Sequence, residues 1–280
     1  MTVINTNTSA AYAQNAMKTN ARFMSKAMEQ LSTGSRVNSA GDDAAGLAIG
    51  QNMTSQIRGL SMAIRNVNDG INMMQTSEGA MVEQSNMLQR MRELALQAMN
   101  GTYSDVQRGY LDKEFQELTS QIDQIAKDTM WNDQSVLTGS GGATSNGVFT
   151  FQAGQDADQT ISVTIGAMTK TGLSLVSGGV TVSIDSGTTA ADALDVISAA
   201  LETINEQRAA LGAGINRMQY TVDNLANIAS NQTQSRSTIL DTDYAIATTQ
   251  LAKTQIIQQA STAMLAQANQ QAQAVMALLK

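Results

Sequence analysis

The sequence predicts a mainly α-helical protein: a long antiparallel helical rod or coiled-coil bundle with paired terminal helices and a small β-hairpin-rich tip. Three observations support this fold class. Apolar residues recur every three or four positions over long stretches, which is the period of a helix face. The 280 residues include no Pro, so the chain lacks the strongest helix breaker. The spacing of apolar residues changes to two only in a short segment near the middle.

The composition excludes several kinds of chemistry. The chain has no Cys and no His, which rules out disulfides, thiolate metal sites and the most common general base. We therefore expect no cofactor, no metal and no enzymatic activity. The net charge of −7 disfavours nucleic-acid binding. No apolar run is long enough to span a membrane, and the polar N-terminus does not resemble a secretory signal, so we expect a cytoplasmic protein or one exported by a dedicated route.

The two ends of the chain carry apolar residues with the same spacing. Steps of three and four residues alternate in both stretches, which is typical of the seam between supercoiled helices. The first predicted seam is Ala10, Ala13, Met17, Ala21, Met24, Met28 and Leu31, and the second is Ile257, Ala260, Met264, Ala268, Gln271, Val275 and Leu278. We predict that the two terminal helices pair, the alternative being two separate amphipathic helices in a globular core.

The C-terminal stretch from Thr254 to Leu279 contains no charged residue. A helix that faces solvent normally carries charges on its outer side, and the many glutamines here are too polar for a lipid-facing span. This helix is therefore predicted to be covered by protein. Because one chain has too little material to cover it, the pattern indicates self-association.

The remaining elements follow from caps and periodicity. One helix is predicted over about 43–99 and stops at Asn100-Gly101, and Ser104 with Gln107 forms a capping box that starts a helix to about residue 128. Alternation predicts strands at 149–151, 161–165 and 180–184, and Thr189 is predicted to cap a long helix whose apolar face continues to Leu225. We expect three parts: 1–40 with 236–280, 41–140 with 188–235, and the tip 141–187.

Several ordered motifs resemble those of bacterial flagellins. The N-terminal signature corresponds to Gln30–Ala40 followed by Asp42–Ile49, and the other matches are Leu211–Ala213, Asn216-Arg217, Ser235-Arg236, Asp241–Ala245 and Gln258–Gln270. The resemblance implies a structural subunit that self-assembles into the helical flagellar filament used for swimming. In this family the terminal helices line the inner core of the filament. The alternative within the family is a hook–filament junction protein.

The resemblance also implies partners and a location. It predicts contacts with other flagellin copies, a cytoplasmic export chaperone, the filament cap and the hook-associated proteins. It predicts secretion through the flagellar type III apparatus to an extracellular filament. A carbohydrate-binding tip and an enzyme are other possible classes, but fewer than 50 residues without Trp or Tyr make a weak sugar platform in 141–187.

Charged residues supply the remaining candidate sites. By resemblance, Arg90, Leu94 and Glu114 match positions used for subunit packing and for recognition by the flagellin-sensing Toll-like receptor of animals. The alternative for the stretch 89–97 is a solvated charged face with Leu94 in the helix seam. Asp42-Asp43 and the pair Asp241 and Asp243 admit a metal or acid–base role, but capping of helix N-termini is the favoured interpretation.

Overall fold

The computed structural model describes residues 6–142, 145–177 and 180–277, with no account of the side chains of 177, 180 and 271–277. Within these residues the chain forms five α-helices. They are α1 (Thr8–Thr33), α2 (Ala44–Ala98), α3 (Asp105–Asp128), α4 (Gly187–Leu240) and α5 (Tyr244–Ala277). The mainly α-helical fold class is confirmed.

The described residues between α3 and α4 form six short strands, which pair as three antiparallel hairpins. They are β1 (Met130–Trp131), β2 (Gln134–Ser135), β3 (Val148–Gln152), β4 (Thr160–Thr164), β5 (Val176–Ser177) and β6 (Val180–Thr181). The predicted strands at 149–151 and 161–165 are confirmed as β3 and β4. The predicted strand at 180–184 is wrong beyond residue 181, because the Ile184 N–H bonds to the Asp112 carboxylate of α3 instead of to a neighbouring strand.

The chain divides into two compact units. We call Met1–Ile57 with Ser230–Lys280 the terminal unit, and Arg58–Ala229 the central unit. The terminal unit therefore holds α1, α5 and the outer parts of α2 and α4, and the central unit holds α3, the hairpins and the remainder of α2 and α4. The predicted division of the chain into three parts stays a prediction.

The core of the central unit is built on residues that repeat every seven positions. Because seven residues make two helical turns, each repeat places its members along one line of the helix. On α2 the buried line is Leu60, Val67, Met74, Met81, Leu88 and Ala95, and on α4 it is Ile197, Ile204, Leu211, Met218 and Leu225. The predicted apolar face of α4 is therefore confirmed at these positions.

A second buried line on α2 includes polar side chains. Ser77 and Gln84 lie in it, and both are fully buried. The Gln84 amide Nε2 donates to the carbonyl of Ile122 at 3.1 Å and to that of Met168 at 3.0 Å. This amide therefore joins α2 to α3 and to the segment that follows β4.

The ends of the long helices depend on local hydrogen bonds. The predicted capping box is confirmed: the Ser104 hydroxyl accepts from the Gln107 N–H, and the Gln107 side chain accepts from the Ser104 N–H. The start of α4 differs from the prediction, because the Ser186 hydroxyl accepts from the Thr189 N–H. The helix therefore begins at Gly187, before Thr189.

No helix among the described residues is both long and apolar enough to cross a membrane.

Candidate functional site

The loop after α1 joins the two ends of the chain. Gly34 ends the helix with φ of 72°, a left-handed conformation that a residue without Cβ adopts at low cost. The Arg36 N–H then donates to the Leu240 carbonyl at 2.6 Å, and the Thr242 N–H donates to the Gly34 carbonyl at 2.9 Å. The segment with the N-terminal signature motif thus pairs, antiparallel, with the turn between α4 and α5.

Two acidic residues stabilise this loop in different ways. The Asp43 carboxylate accepts from the Gly46 N–H at 2.8 Å and caps α2, which confirms the capping interpretation for this residue. Asp42 does not cap the helix. Its carboxylate pairs with Lys26 Nζ at 2.7 Å and also accepts from the N–H and hydroxyl of Ser39. The ammonium group of Lys26 and these hydrogen bonds lower the pKa of Asp42 to about 2.

The lowered pKa of Asp42 predicts a defined pH dependence. A carboxyl whose folded pKa lies below its unfolded value of 3.8 stabilises the fold above that value and loses its contribution as the pH falls towards about 2. We therefore expect Asp42→Asn to lower the melting temperature at pH 5 and above, and the difference from wild type to shrink between pH 4 and pH 2. Thermal melts of both proteins across this range measure it, and a difference independent of pH would contradict the role of the charge.

Helices α1 and α5 pack against each other in antiparallel orientation. The Asn20 amide donates to the Thr254 carbonyl at 2.8 Å and to the Gln258 side chain at 3.2 Å. Towards the N-terminus, the Asn7 amide donates to the Ala268 carbonyl at 3.2 Å. The predicted pairing of the terminal helices is confirmed, and side-chain amides help to set its register.

The contact between α1 and α5 combines apolar side chains with small and polar ones. On α5 the covered or half-covered residues are Ala247, Leu251, Thr254, Gln258, Ser261, Leu265 and Ala268, and on α1 they include Asn20 and Ala27. A buried Asn in a helix seam specifies register at some cost in stability, which is its attested use in coiled coils. The amide contacts of Asn20 fit this role.

The predicted seam on α1 agrees with this geometry except at one position. Ala10, Ala13, Met17, Ala21, Met24 and Leu31 are half-buried. Met28 is 55% exposed, and the neighbouring Ala27 is buried in its place. The spacing of apolar residues thus predicts most, but not all, of the α1 residues that are covered in this contact.

The predicted seam on α5 lies mostly outside the α1–α5 contact. Ile257, Ala260 and Met264 are exposed, Met264 to 65%, and only Ala268 is half-buried. The side chains of Gln271 and Val275, and all of Leu278, lie outside the described residues. Because Thr254 and Gln258 take the inner positions, Ile257, Ala260 and Met264 lie outside the contact with α1. We call Ile257, Ala260 and Met264 the outer stripe.

The terminal unit exposes further apolar residues. They include Tyr12 and Phe23 on α1 and Ile246 and Ile256 on α5, each more than half exposed. No charged residue interrupts the described part of α5 after Lys253. Exposed apolar surface of this extent is typical of a protein–protein interface.

In the central unit, the structure brings Arg90 and Glu114 together. Arg90 Nε donates to Glu114 Oε1 at 3.0 Å, and Arg90 Nη1 donates to Glu93 Oε2 at 2.9 Å. The two carboxylates raise the pKa of the guanidinium. This ion pair links α2 to α3 and is about half exposed on both sides, so it lies on an accessible surface.

Leu94 lies differently from the expectation of a partner contact. Its side chain is 1% exposed and belongs to the hydrophobic core of the central unit. In this structure the Leu94 side chain is not available to a partner. It packs in the core and so anchors α2, the helix that carries Arg90. The alternative of Leu94 as a seam residue describes its environment better.

The described residues contain no group of three or more side chains able to hold a metal ion together. Two features are typical of a helical assembly subunit: a terminal helix without charge after Lys253 that exposes an apolar stripe, and a packed central unit with an accessible ion pair.

Comparison with known proteins agrees with this class. The bacterial flagellin N-terminal helical region matches residues 4–141, and the bacterial flagellin C-terminal helical region matches residues 194–279. Flagellin FlaB1 of Treponema pallidum is 39% identical over 285 aligned positions, which cover 99% of this chain and 100% of that protein. The flagellin of Halalkalibacterium halodurans is 42% identical over 279 positions, with the same coverage.

Among solved structures, the crystal structure of Bacillus cereus flagellin is 31% identical. The superposition covers 57% of this chain and 88% of the Bacillus cereus chain, with a TM-score of 0.49. On the two regional matches and the full-length relatives, the chain belongs to the bacterial flagellin family. It is a structural subunit of the flagellar filament.

Proposed function

We propose that the chain polymerises through its terminal helix pair and that neighbouring copies cover the outer stripe of α5. The observation that carries this proposal is the orientation of α5. Its polar residues Thr254 and Gln258 face α1, whereas the apolar residues of the outer stripe are exposed. Burial of an Ile or Met side chain contributes roughly 1.5–3 kcal/mol, so an exposed stripe leaves a driving force for association.

The same proposal accounts for the lack of charge on α5 after Lys253. A charged residue that is buried in a helix-to-helix interface loses its hydration, and only a well-placed partner of opposite charge offsets that cost. Neutral amides such as Gln258 and Gln259 can instead exchange hydrogen bonds with any copy that approaches. An uncharged helix therefore suits a core in which every side of the helix meets another subunit. The predicted filament-core role of the seam residues is part of this proposal.

Export and recognition by other proteins complete the proposal. The subunit is secreted through the flagellar type III apparatus, with an export chaperone in the cytoplasm and the cap and hook-associated proteins at the filament ends. Arg90 and Glu114 form the accessible part of the surface for subunit packing and for the flagellin-sensing Toll-like receptor. The half-exposed ion pair supports this surface, since Arg is common at protein interfaces. The chain acts as a structural protein and not as an enzyme.

Substitution of the outer stripe tests the proposal. Ile257→Glu with Met264→Glu places two carboxylates on the exposed face of α5. We expect the melting temperature of the monomer to stay within a few degrees of wild type, because neither side chain is buried in one chain. We expect elongation of filament seeds to fall at least about tenfold, since charge would be buried between copies.

The matched control keeps the stripe apolar. Ile257→Leu with Met264→Leu should elongate seeds within about twofold of wild type, because such swaps conserve volume. Light scattering and electron microscopy after seeding measure both variants. Normal elongation by the glutamate variant would show that the outer stripe is not an assembly surface.

A further inference from the structure

Two arginines of the central unit have no oxygen partner among the described residues. The other described arginines of this unit each contact an oxygen atom: Arg90, Arg92, Arg108, Arg208 and Arg217. Arg58 and Arg65 are exposed on α2, and neither takes part in an ion pair among the described residues. Within the described part of the chain, the only polar contact of Arg65 is with the sulfur of Met62, which lies between the two arginines and is 46% exposed. We call Arg58, Met62 and Arg65 the basic face.

Carboxylates close to the basic face do not neutralise it by contact. Asp69 lies one turn further along α2, and Asp156 is in the β3–β4 turn, whose Gln155 packs against Gly59. Asp156 instead accepts a hydrogen bond from the Gln159 side chain. The two guanidinium groups are thus left without an intramolecular partner of opposite charge within 4 Å in the described structure.

A row of carboxylates on α4 has the complementary charge. Asp192, Asp195, Glu202 and Glu206 are all exposed, and none forms an ion pair among the described residues. Their spacing of three, seven and four residues places them along one line of the helix. We call these four residues the acidic face.

The two faces match in spacing as well as in sign. Arg58 and Arg65 are seven residues apart, which is two turns or about 10.5 Å along the helix. Asp195 and Glu202 have the same separation. Met62 follows Arg58 by four residues. Ala199, which is small and exposed, follows Asp195 by the same four residues. Two helices laid side by side can therefore form both ion pairs and fit the Met side chain over the Ala.

The two faces cannot meet within one copy. In the central unit, Leu60 packs with Leu225 of α4, which places the basic face beside that part of α4. The acidic face lies elsewhere on α4, where the Ser198 hydroxyl accepts from Arg92 at 3.2 Å. Ser198 and Leu225 are separated by 27 residues of continuous helix, or about 40 Å. The faces therefore lie near opposite ends of the unit.

We propose that the basic face of one copy docks on the acidic face of a second copy, with Arg58 and Arg65 opposite Asp195 and Glu202. Because the faces differ and lie far apart in each copy, the contact is heterologous and leaves one free face at each end. Repetition of such a contact gives an open assembly and not a closed dimer. This inference rests on the proposed function, since it assigns a second contact between copies of a polymerising subunit.

Charge reversal in the full-length chain tests the docking. Arg58→Glu with Arg65→Glu should slow the elongation of filament seeds at least about tenfold, because the variant face repels the acidic face of the next copy. Asp195→Arg with Glu202→Arg should slow it to a similar extent. The chain that carries all four changes should recover to within about threefold of wild type. All substituted side chains are exposed, so the melting temperatures should stay close to wild type.

Two controls separate the docking from charge in general and from the proposed function. Lys113→Glu with Arg217→Glu changes the net charge by the same amount as the α2 double variant, and it should elongate seeds within about threefold of wild type. If wild-type chains elongate but the double variants do so equally well, or the fourfold variant does not recover, the docking is overturned and the proposed function is not. If wild-type chains fail to elongate seeds, the proposed function fails and the inference falls with it.

Discussion

Leu94→Ala is expected to destabilise the folded monomer by about 2–5 kcal/mol, which is the usual cost of a large-to-small substitution in a packed core. Leu94 is 1% exposed, and its neighbours in the core include Met91 and Phe115. Removal of its side chain leaves a cavity where α2 meets the remainder of the central unit. Chemical denaturation followed by circular dichroism measures the loss as a lower midpoint.

The chain offers matched controls for this prediction. Leu96 lies two residues away and is 53% exposed, so Leu96→Ala should change the unfolding free energy by less than about 1 kcal/mol. Arg90→Ala removes exposed ion pairs, which contribute about 0–1 kcal/mol, and its effect should appear mainly in assembly. A stable Leu94→Ala monomer that fails to assemble would instead place Leu94 at a contact between subunits.

Deletion of residues 255–280 is expected to abolish polymerisation and to leave the central unit folded. The deletion removes the outer stripe and the Gln258 partner of Asn20. The hydrophobic core from Val67 to Met218 contains no residue of the deleted segment, so its cooperative melt should persist. Circular dichroism reports the melt, and light scattering after addition of seeds should stay flat.

Elongation of seeds by the truncated chain would contradict the proposed role of the terminal helices. The variant with Ile257→Glu and Met264→Glu gives a second measurement at the same surface. Loss of assembly in both proteins assigns the effect to the outer stripe. Loss in the truncated chain alone assigns it to other parts of the deleted segment.

Some elements follow from the sequence because their signals are local. The capping box of Ser104 and Gln107 satisfies backbone groups only three residues away, so residue identity is enough to predict where α3 begins. The heptad line on α4 from Ile197 to Leu225 is equally local, since one apolar residue recurs at each second turn. Pairing of β3 with β4 follows from strict alternation across a short connection.

Other features depend on distant partners and could not be predicted in this way. Gln84 interrupts the apolar pattern of α2 and yet is buried, because its amide bonds to carbonyls 38 and 84 residues away. Asp42 was expected to act at a helix terminus, but Lys26 of the preceding helix is its partner. A pattern of residue types indicates that a polar group needs a partner and does not say which one.

The sequence by itself determined the helical class and the flagellin motifs, and it predicts self-association through the uncharged C-terminal stretch. It also determined that α1 and α5 pair. Only the tertiary structure decided which side of each helix makes that contact. Periodicity locates an apolar stripe, but it does not distinguish a stripe covered within one chain from a stripe left for neighbouring copies. Asn20, Thr254 and Gln258 satisfy one another inside the chain, and the apolar outer stripe is consequently turned outward.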